Sequence, residues 1–163
     1  MTALGIFLLY CVTLFDIAHG QVMTAKVSGV SAGDHLAILH ENRTDHIDLY
    51  GIMCPKKGQP FWDTAKEAVT DMVFGRSVEV DIGSRDIRGR RPRIVRVNGL
   101  ILNEELVRAG VAWVYQHECK LPLCDKWRGL EAEARSERRG LWADPNPVPP
   151  WQFKVEKKTK WKR

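Results

Sequence analysis

The sequence predicts an α+β domain, a small five-stranded β-barrel of the OB-fold type, partly open and carrying three helices. Three observations lead there. Short stretches that alternate apolar and polar residues, separated by turn signals, fill the first third of the chain. A single strongly amphipathic stripe then interrupts them. Further short strands follow, and two more helical stretches come after those. The length of 163 residues suits one domain with one core. Hydrophobic content of 44% and charged content of 28% place the chain among ordinary globular proteins rather than disordered ones.

The elements follow in order. Ala25 to Ser31 alternates around Val27 and Val30 and predicts a first strand. Gly33-Asp34 is a turn signal, and the apolar run Leu36 to Leu39 predicts a second strand. Glu41-Asn42-Arg43 turns the chain again. His46 to Ile52 then predicts a third strand with Ile47, Leu49 and Gly51 on one face. Pro60 suits the first turn of a helix, where its missing N–H has no partner to lose. Phe61, Ala65, Ala68, Val69, Met72 and Val73 recur at spacings of three and four, and Gly75 ends the stripe. Val78, Val80 and Ile82 alternate in a fourth strand, and Ile94 to Val97 form a fifth before the hairpin signal Asn98-Gly99. Asn103 is placed to cap a short helix carrying Leu106 and Val107, which Gly110 ends. Val111 to Tyr115 is a short apolar segment, and Leu130 and Ala134 lie on a last charged helix ending at Gly140. Asp144 to Pro150 is too proline-rich for a helix or sheet interior.

The two ends differ from this domain. Ala3 to Phe15 is almost wholly apolar, but a run of about 13 residues is shorter than the roughly 20 that span a bilayer as a helix. Ala18-His19-Gly20 places small residues at the −3 and −1 positions of a signal-peptidase site. Residues 1–20 are therefore read as a cleaved export signal, with an N-terminal membrane anchor as the alternative. The domain runs over residues 21–153. Residues 154–163 form a basic tail carrying Lys154, Lys157, Lys158, Lys160, Lys162 and Arg163. The expected compartment is periplasmic or extracellular, and the expected mature chain is a monomer without stable membrane association. Cleavage removes one acid, Asp16, and no base, leaving 25 basic against 19 acidic residues and a net charge of +6. A basic exported chain points to a polyanionic partner.

Cleavage also removes Cys11 and leaves Cys54, Cys119 and Cys124. In an oxidising compartment Cys119 and Cys124 are expected to pair across the loop Lys-Leu-Pro-Leu. A zinc site with His117 as a third ligand is the rival reading. Cys54, left over, reads as a small packed residue.

Five stretches of sequence, in order, carry a resemblance. They are Gly33-Asp34; Leu49-Tyr50-Gly51-Ile52-Met53-Cys54-Pro55-Lys56 with Gly58-Gln59-Pro60-Phe61; Asp86-Ile87-Arg88-Gly89-Arg90; Leu102-Asn103-Glu104-Glu105-Leu106-Val107-Arg108-Ala109-Gly110-Val111-Ala112-Trp113; and Glu131-Ala132-Glu133-Ala134-Arg135 with Arg139-Gly140-Leu141-Trp142. Together they resemble the thermonuclease, or staphylococcal-nuclease-like, family over Ala25 to Phe153. The resemblance implies an OB-fold barrel with three helices that hydrolyses DNA and RNA with Ca²⁺. The family carries D-G-D-T, then R-L-x-G-I-D-x-P-E, then D-x-x-G-R. Carboxylates hold the hard cation, a glutamate serves the attacking water, and two arginines grip the phosphate.

Matched by position, this sequence keeps two of those groups, Asp34 and Arg90. Asp48 stands where the resemblance implies an arginine, Met53 where it implies the second aspartate, and Lys56 where it implies the glutamate. Three functions follow as alternatives. The first is a thermonuclease-like domain with impaired or absent catalysis that binds nucleic acid through Lys56, Lys57, Arg88, Arg90, Arg91 and the ring of Tyr115. It expects no cofactor, and Ca²⁺ only if the family activity survives. The second is a working phosphodiesterase with a relocated metal site at Asp34 and Asp48, joined by His35 or His46. The third is a protein-binding module that uses the same scaffold.

Overall fold

Residues 22–81 and 92–153 are described by a computed structural model, and the expected export signal, the basic tail and the Asp86–Arg90 motif lie outside them. Strand β1 (Val22–Ala32) is the hub of the sheet. It pairs antiparallel with β2 (His35–His40) along one edge and with β5 (Ser77–Asp81) along the other. Its ladder to β2 shifts register between Val27 and Gly29 and again between Val30 and Ala32. Irregularities of this kind bend a strand and raise its twist, which a closed barrel requires.

A tight turn carries β2 into β3 (Arg43–Leu49), with Glu41 at φ 47° and Asn42 at φ 62°. Two successive left-handed residues match the twist of a hairpin. Strand β3 then pairs in parallel with β6 (Pro92–Arg93). Only Ile94 separates β6 from β7 (Val95–Val97), and β7 pairs antiparallel with β5. Pro92 to Val97 is thus one run that touches β3 at its start and β5 at its end. The ring β1, β2, β3, the 92–97 run and β5 closes, giving the five-membered barrel that the sequence predicts. Val27, Leu36, Ile38, Ile47, Leu49, Val78, Val80 and Val95 are buried, one face of each alternating strand. After the barrel, Asn98 and Gly99 form the turn to β8 (Leu100–Ile101), both with positive φ.

The helices are α1 (Trp62–Val73), α2 (Leu102–Arg108) and α3 (Leu123–Ser136), with a 3₁₀ turn at Gly140–Ala143. Among the described residues no helix is long and apolar enough to cross a membrane.

Four local expectations change. The third strand ends at Leu49 rather than Ile52. Gly51 takes φ +68° in a turn, and a Cβ there would meet the Cys119 sulfur at 2.5 Å. The chain beyond forms β4 (Ile52–Met53), which pairs with β9 (Trp113–Val114) outside the barrel ring. Helix α1 starts at Trp62, two residues after Pro60, because Phe61 is left-handed at φ 63°. Helix α3 (Leu123–Ser136) ends at Ser136 rather than at Gly140, where the 3₁₀ turn starts. Asn103 does not cap α2. It is fully buried inside the first turn, accepts from Val95 N–H at 3.1 Å, and donates to the carbonyls of Tyr50 at 3.0 Å and Arg93 at 3.1 Å. One side chain so ties the barrel run, the turn after β3 and α2.

A second, smaller cluster holds Trp113, Ala134, Leu141 and Trp142, with Phe61 and Trp151 packed against it. Trp113 is therefore core. Residues 144–149 are irregular, as the prolines require, and a helical turn over residues 150–153 ends the described chain.

Candidate functional site

The Gly33-Asp34 turn and the loop after β4 meet at one end of the barrel. A Cβ on Gly33 would stand 2.8 Å from the Cys54 sulfur, so glycine lets the two segments touch. That contact aims Asp34 at the loop backbone. Its Oδ2 accepts the Cys54 N–H at 3.1 Å and the Lys56 ammonium at 2.5 Å. Asp34 is only 6% exposed, and its Oδ1 is buried with no hydrogen-bond partner.

Gln59 shapes the loop. Its Oε1 accepts the Lys56 N–H at 3.0 Å, and its own N–H reaches the Lys56 carbonyl at 2.8 Å. Its Nε2 donates to the Val148 carbonyl at 2.5 Å, so the proline-rich segment is latched to the loop. Sequence reasoning missed Gln59, because nothing local marks a partner 89 residues away. Cys54 is buried, and burial first, then the Asp34 charge, pushes its thiol well above the ordinary range, against a smaller pull from Lys56. It is the packed, protonated residue expected of it.

The other positions fall around this centre. Met53 pairs with Trp113 across the β4–β9 ladder and is half-buried. Asp48 lies directly opposite His35 in the β2–β3 register, and the His35 Nδ1–H donates to Asp48 Oδ1. The His46 ring faces that of His35, centroids 6.1 Å apart and planes 16° apart. Asp48 thus pairs with His35 and Lys56 with Asp34, rather than Asp48 with Lys56. Lys57 is exposed beside the loop. Arg88, Arg90 and Arg91 lie outside the described residues.

A Ca²⁺ ion takes six to eight oxygens. Here one carboxylate faces the old centre, its Oδ2 already holds an ammonium, Met53 offers only sulfur, and Lys56 offers positive charge. These residues do not fit the ion. Among the described residues no group of three or more His, Cys, Asp or Glu side chains is placed to share a metal. That leaves Asp34, Asp48, His35 and His46 without the convergence a relocated metal site needs.

Two neighbouring features complete the region. Cys119 and Cys124 are disulfide-bonded rather than zinc ligands, and the Tyr50 hydroxyl accepts the N–H groups of Lys120 and Leu121 inside their loop at 2.8 and 3.1 Å. A cleft of about 1000 Å³ opens between β9, α3 and the proline segment, with Tyr115, His117, Arg135, Arg138, Trp142 and Trp151 on its walls. Tyr115 is half-buried there, its ring 5.3 Å from Trp151 and 5.5 Å from His117. The Arg135 guanidinium lies 4.1 Å over Trp142. Glu131 lines the same cleft. Burial raises its carboxyl above the ordinary range, against Arg135 and the Val114 N–H, which donates to its Oε1 at 3.1 Å.

A family model described as staphylococcal nuclease homologue matches residues 46–144. An "Uncharacterized endonuclease" of Escherichia coli O157:H7 is 33% identical over 140 residues, covering 85% of this chain and 86% of its own length. A "Micrococcal nuclease" of Shigella flexneri is 30% identical over 138 residues, covering 79% of each chain. A "Probable staphylococcal-like nuclease CAN1" of Oryza sativa subsp. japonica is 35% identical over 143 residues, covering 88% of this chain and 39% of its own.

Proposed function

Since the chain belongs to the staphylococcal nuclease family, we propose that it is an exported, nuclease-derived domain that binds nucleic acid and no longer performs metal-dependent hydrolysis. One observation carries the reading. The carboxylate retained for metal, Asp34, is neutralised by Lys56, the residue standing where the family places its general base. A protonated amine accepts no proton from water, so position 56 cannot activate the nucleophile. Met53 removes a further oxygen ligand. Asp48 replaces a phosphate-gripping cation with an anion. Losing the base and one arginine each removes orders of magnitude in rate.

Binding is supported by different features. The full chain carries a net charge of +5. Lys56 and Lys57 lie on the loop after β4, Lys57 exposed, and Arg88, Arg90 and Arg91 are the residues we assign to phosphate contacts. Tyr115, beside Trp151 in the cleft between β9, α3 and the proline segment, supplies a ring face on which a base stacks.

The test uses the mature chain, labelled DNA and RNA, and Ca²⁺, Mg²⁺, Mn²⁺ or Zn²⁺. No metal is expected to stimulate cleavage. The triple variant Asp48→Arg, Met53→Asp, Lys56→Glu is expected to cut with Ca²⁺. Metal-stimulated cleavage by the natural chain refutes the loss. Affinity for single strands should fall with salt, and changing Arg88, Arg90 and Arg91 to Gln should flatten that slope. A chain with no salt-dependent affinity is instead a protein-binding module.

A further inference from the structure

We propose that His35, His46 and Asp48 form a metal-free acid–base site that cleaves RNA by attack of the ribose 2′-hydroxyl on the adjoining phosphodiester. The idea takes its substrate from the nucleic-acid-binding reading above and adds a reaction to it.

The geometry starts with the hydrogen bond between His35 and Asp48. A carboxylate on Nδ1–H fixes the imidazole tautomer and leaves the Nε2 lone pair as the proton acceptor. Asp48 is the positioning residue, and His35 the catalytic base. His46 supplies the second imidazole. The two rings stand 6.1 Å apart and nearly parallel. A phosphodiester laid along the edges of the two rings places one oxygen within roughly 3 Å of each imidazole.

The surface beside the rings leaves room for a polymer. Ala37 lies between His35 and Leu39 on β2 and is the cross-strand partner of His46. Gly29 is its partner on β1, and a Cβ there would lie 3.4 Å from that of Ala37. The floor of this face is thus a methyl group and a bare backbone. The side chains of His35 and Asp48 are 40% and 41% exposed, within reach of a chain running across the barrel.

The step balances without a further reagent. His35 Nε2 takes the 2′-hydroxyl proton as the 2′-oxygen bonds to phosphorus. The bond from phosphorus to the 5′-oxygen breaks, and protonated His46 gives its proton to that oxygen. The products are a 2′,3′-cyclic phosphate and a 5′-hydroxyl, and proton exchange with water restores both rings. DNA has no 2′-hydroxyl and is inert in this scheme.

The experiment incubates the mature chain, in chelator, with an RNA oligonucleotide and the DNA of the same sequence. Expected are cyclic-phosphate ends from RNA and none from DNA. His35→Gln and His46→Gln should each lower the rate about 100-fold or more, with melting temperature and RNA affinity unchanged. Asp48→Asn should lower kcat at constant KM. RNA that binds without being cut overturns this inference and leaves the binding reading intact. Cleavage that survives both histidine variants, or that cuts DNA equally, also overturns it. RNA that does not bind at all overturns both readings.

Discussion

Replacing Asn103 with Ala should cost about 3–5 kcal/mol of folding stability. The figure is built from the three hydrogen bonds that its side chain makes. Val95 N–H gives its hydrogen bond to Asn103 Oδ1, and losing it leaves a buried donor unpaired. Such a group costs about 1–3 kcal/mol. The Tyr50 carbonyl loses its Asn103 donor, at about 1 kcal/mol. The Arg93 carbonyl suffers least, since the Tyr50 N–H also donates to it at 2.8 Å. Deleting a buried amide adds a small cavity worth on the order of 1 kcal/mol. Equilibrium urea unfolding of both proteins, with equal m-values, reads the difference. A helix cap predicts something else. It costs typically about 1 kcal/mol on replacement by Ala and is rescued by Ser, which caps as well as Asn. Serine is too short to hold β7, the turn and α2 together, so Asn103→Ser should cost nearly as much as Asn103→Ala. A loss under about 1 kcal/mol, or rescue by Ser, refutes the bridging role.

Two further perturbations test neighbouring parts of the fold. The Cys119–Cys124 bond closes a short loop, with a sequence separation of 5, for which loop entropy gives about 2 kcal/mol; the double Ala variant should melt about 4–8 °C lower by calorimetry, and an unchanged melting temperature would show that the loop is held by Tyr50 alone. Burial raises the folded-state pKa of Glu131 above the unfolded value of about 4.3. Its stabilising contribution is complete below that unfolded value and fades as pH rises through the folded one. Urea melts of Glu131→Gln should therefore gain on the natural chain between pH 4 and pH 7, and a pH-independent difference would reject the assignment.

Much of the barrel is legible in the sequence because its strands are half-buried. Val27, Leu36, Ile38, Ile47, Val78 and Val80 announce a period of two, and Asn98-Gly99 marks its turn with residues that tolerate positive φ. What escapes is decided by contacts far apart along the chain. Asn103 followed by two glutamates reads locally as a cap, and only the folded barrel puts Val95 and Tyr50 beside it. Gln59 sits between Gly58 and Pro60 with no local mark, yet it holds Val148.

The candidate site shows the same division, and register explains it. The motif places Asp34, Asp48 and Lys56 near one another, but sequence leaves open which acid takes the lysine. Pairing His35 directly opposite Asp48 puts both side chains on the outer face of the β2–β3 ladder. Asp34, one residue earlier, turns the other way, its Oδ2 on the Cys54 N–H beneath the loop that carries Lys56. Side chains alternate faces along a strand, so a slip of one residue in that hairpin would exchange the two partnerships. The hydrophobic alternation that fixes the register, Leu36 opposite Ile47 inside the barrel, thereby also fixes the chemistry outside it. The ammonium is spent on Asp34, and Asp48 remains available to orient an imidazole.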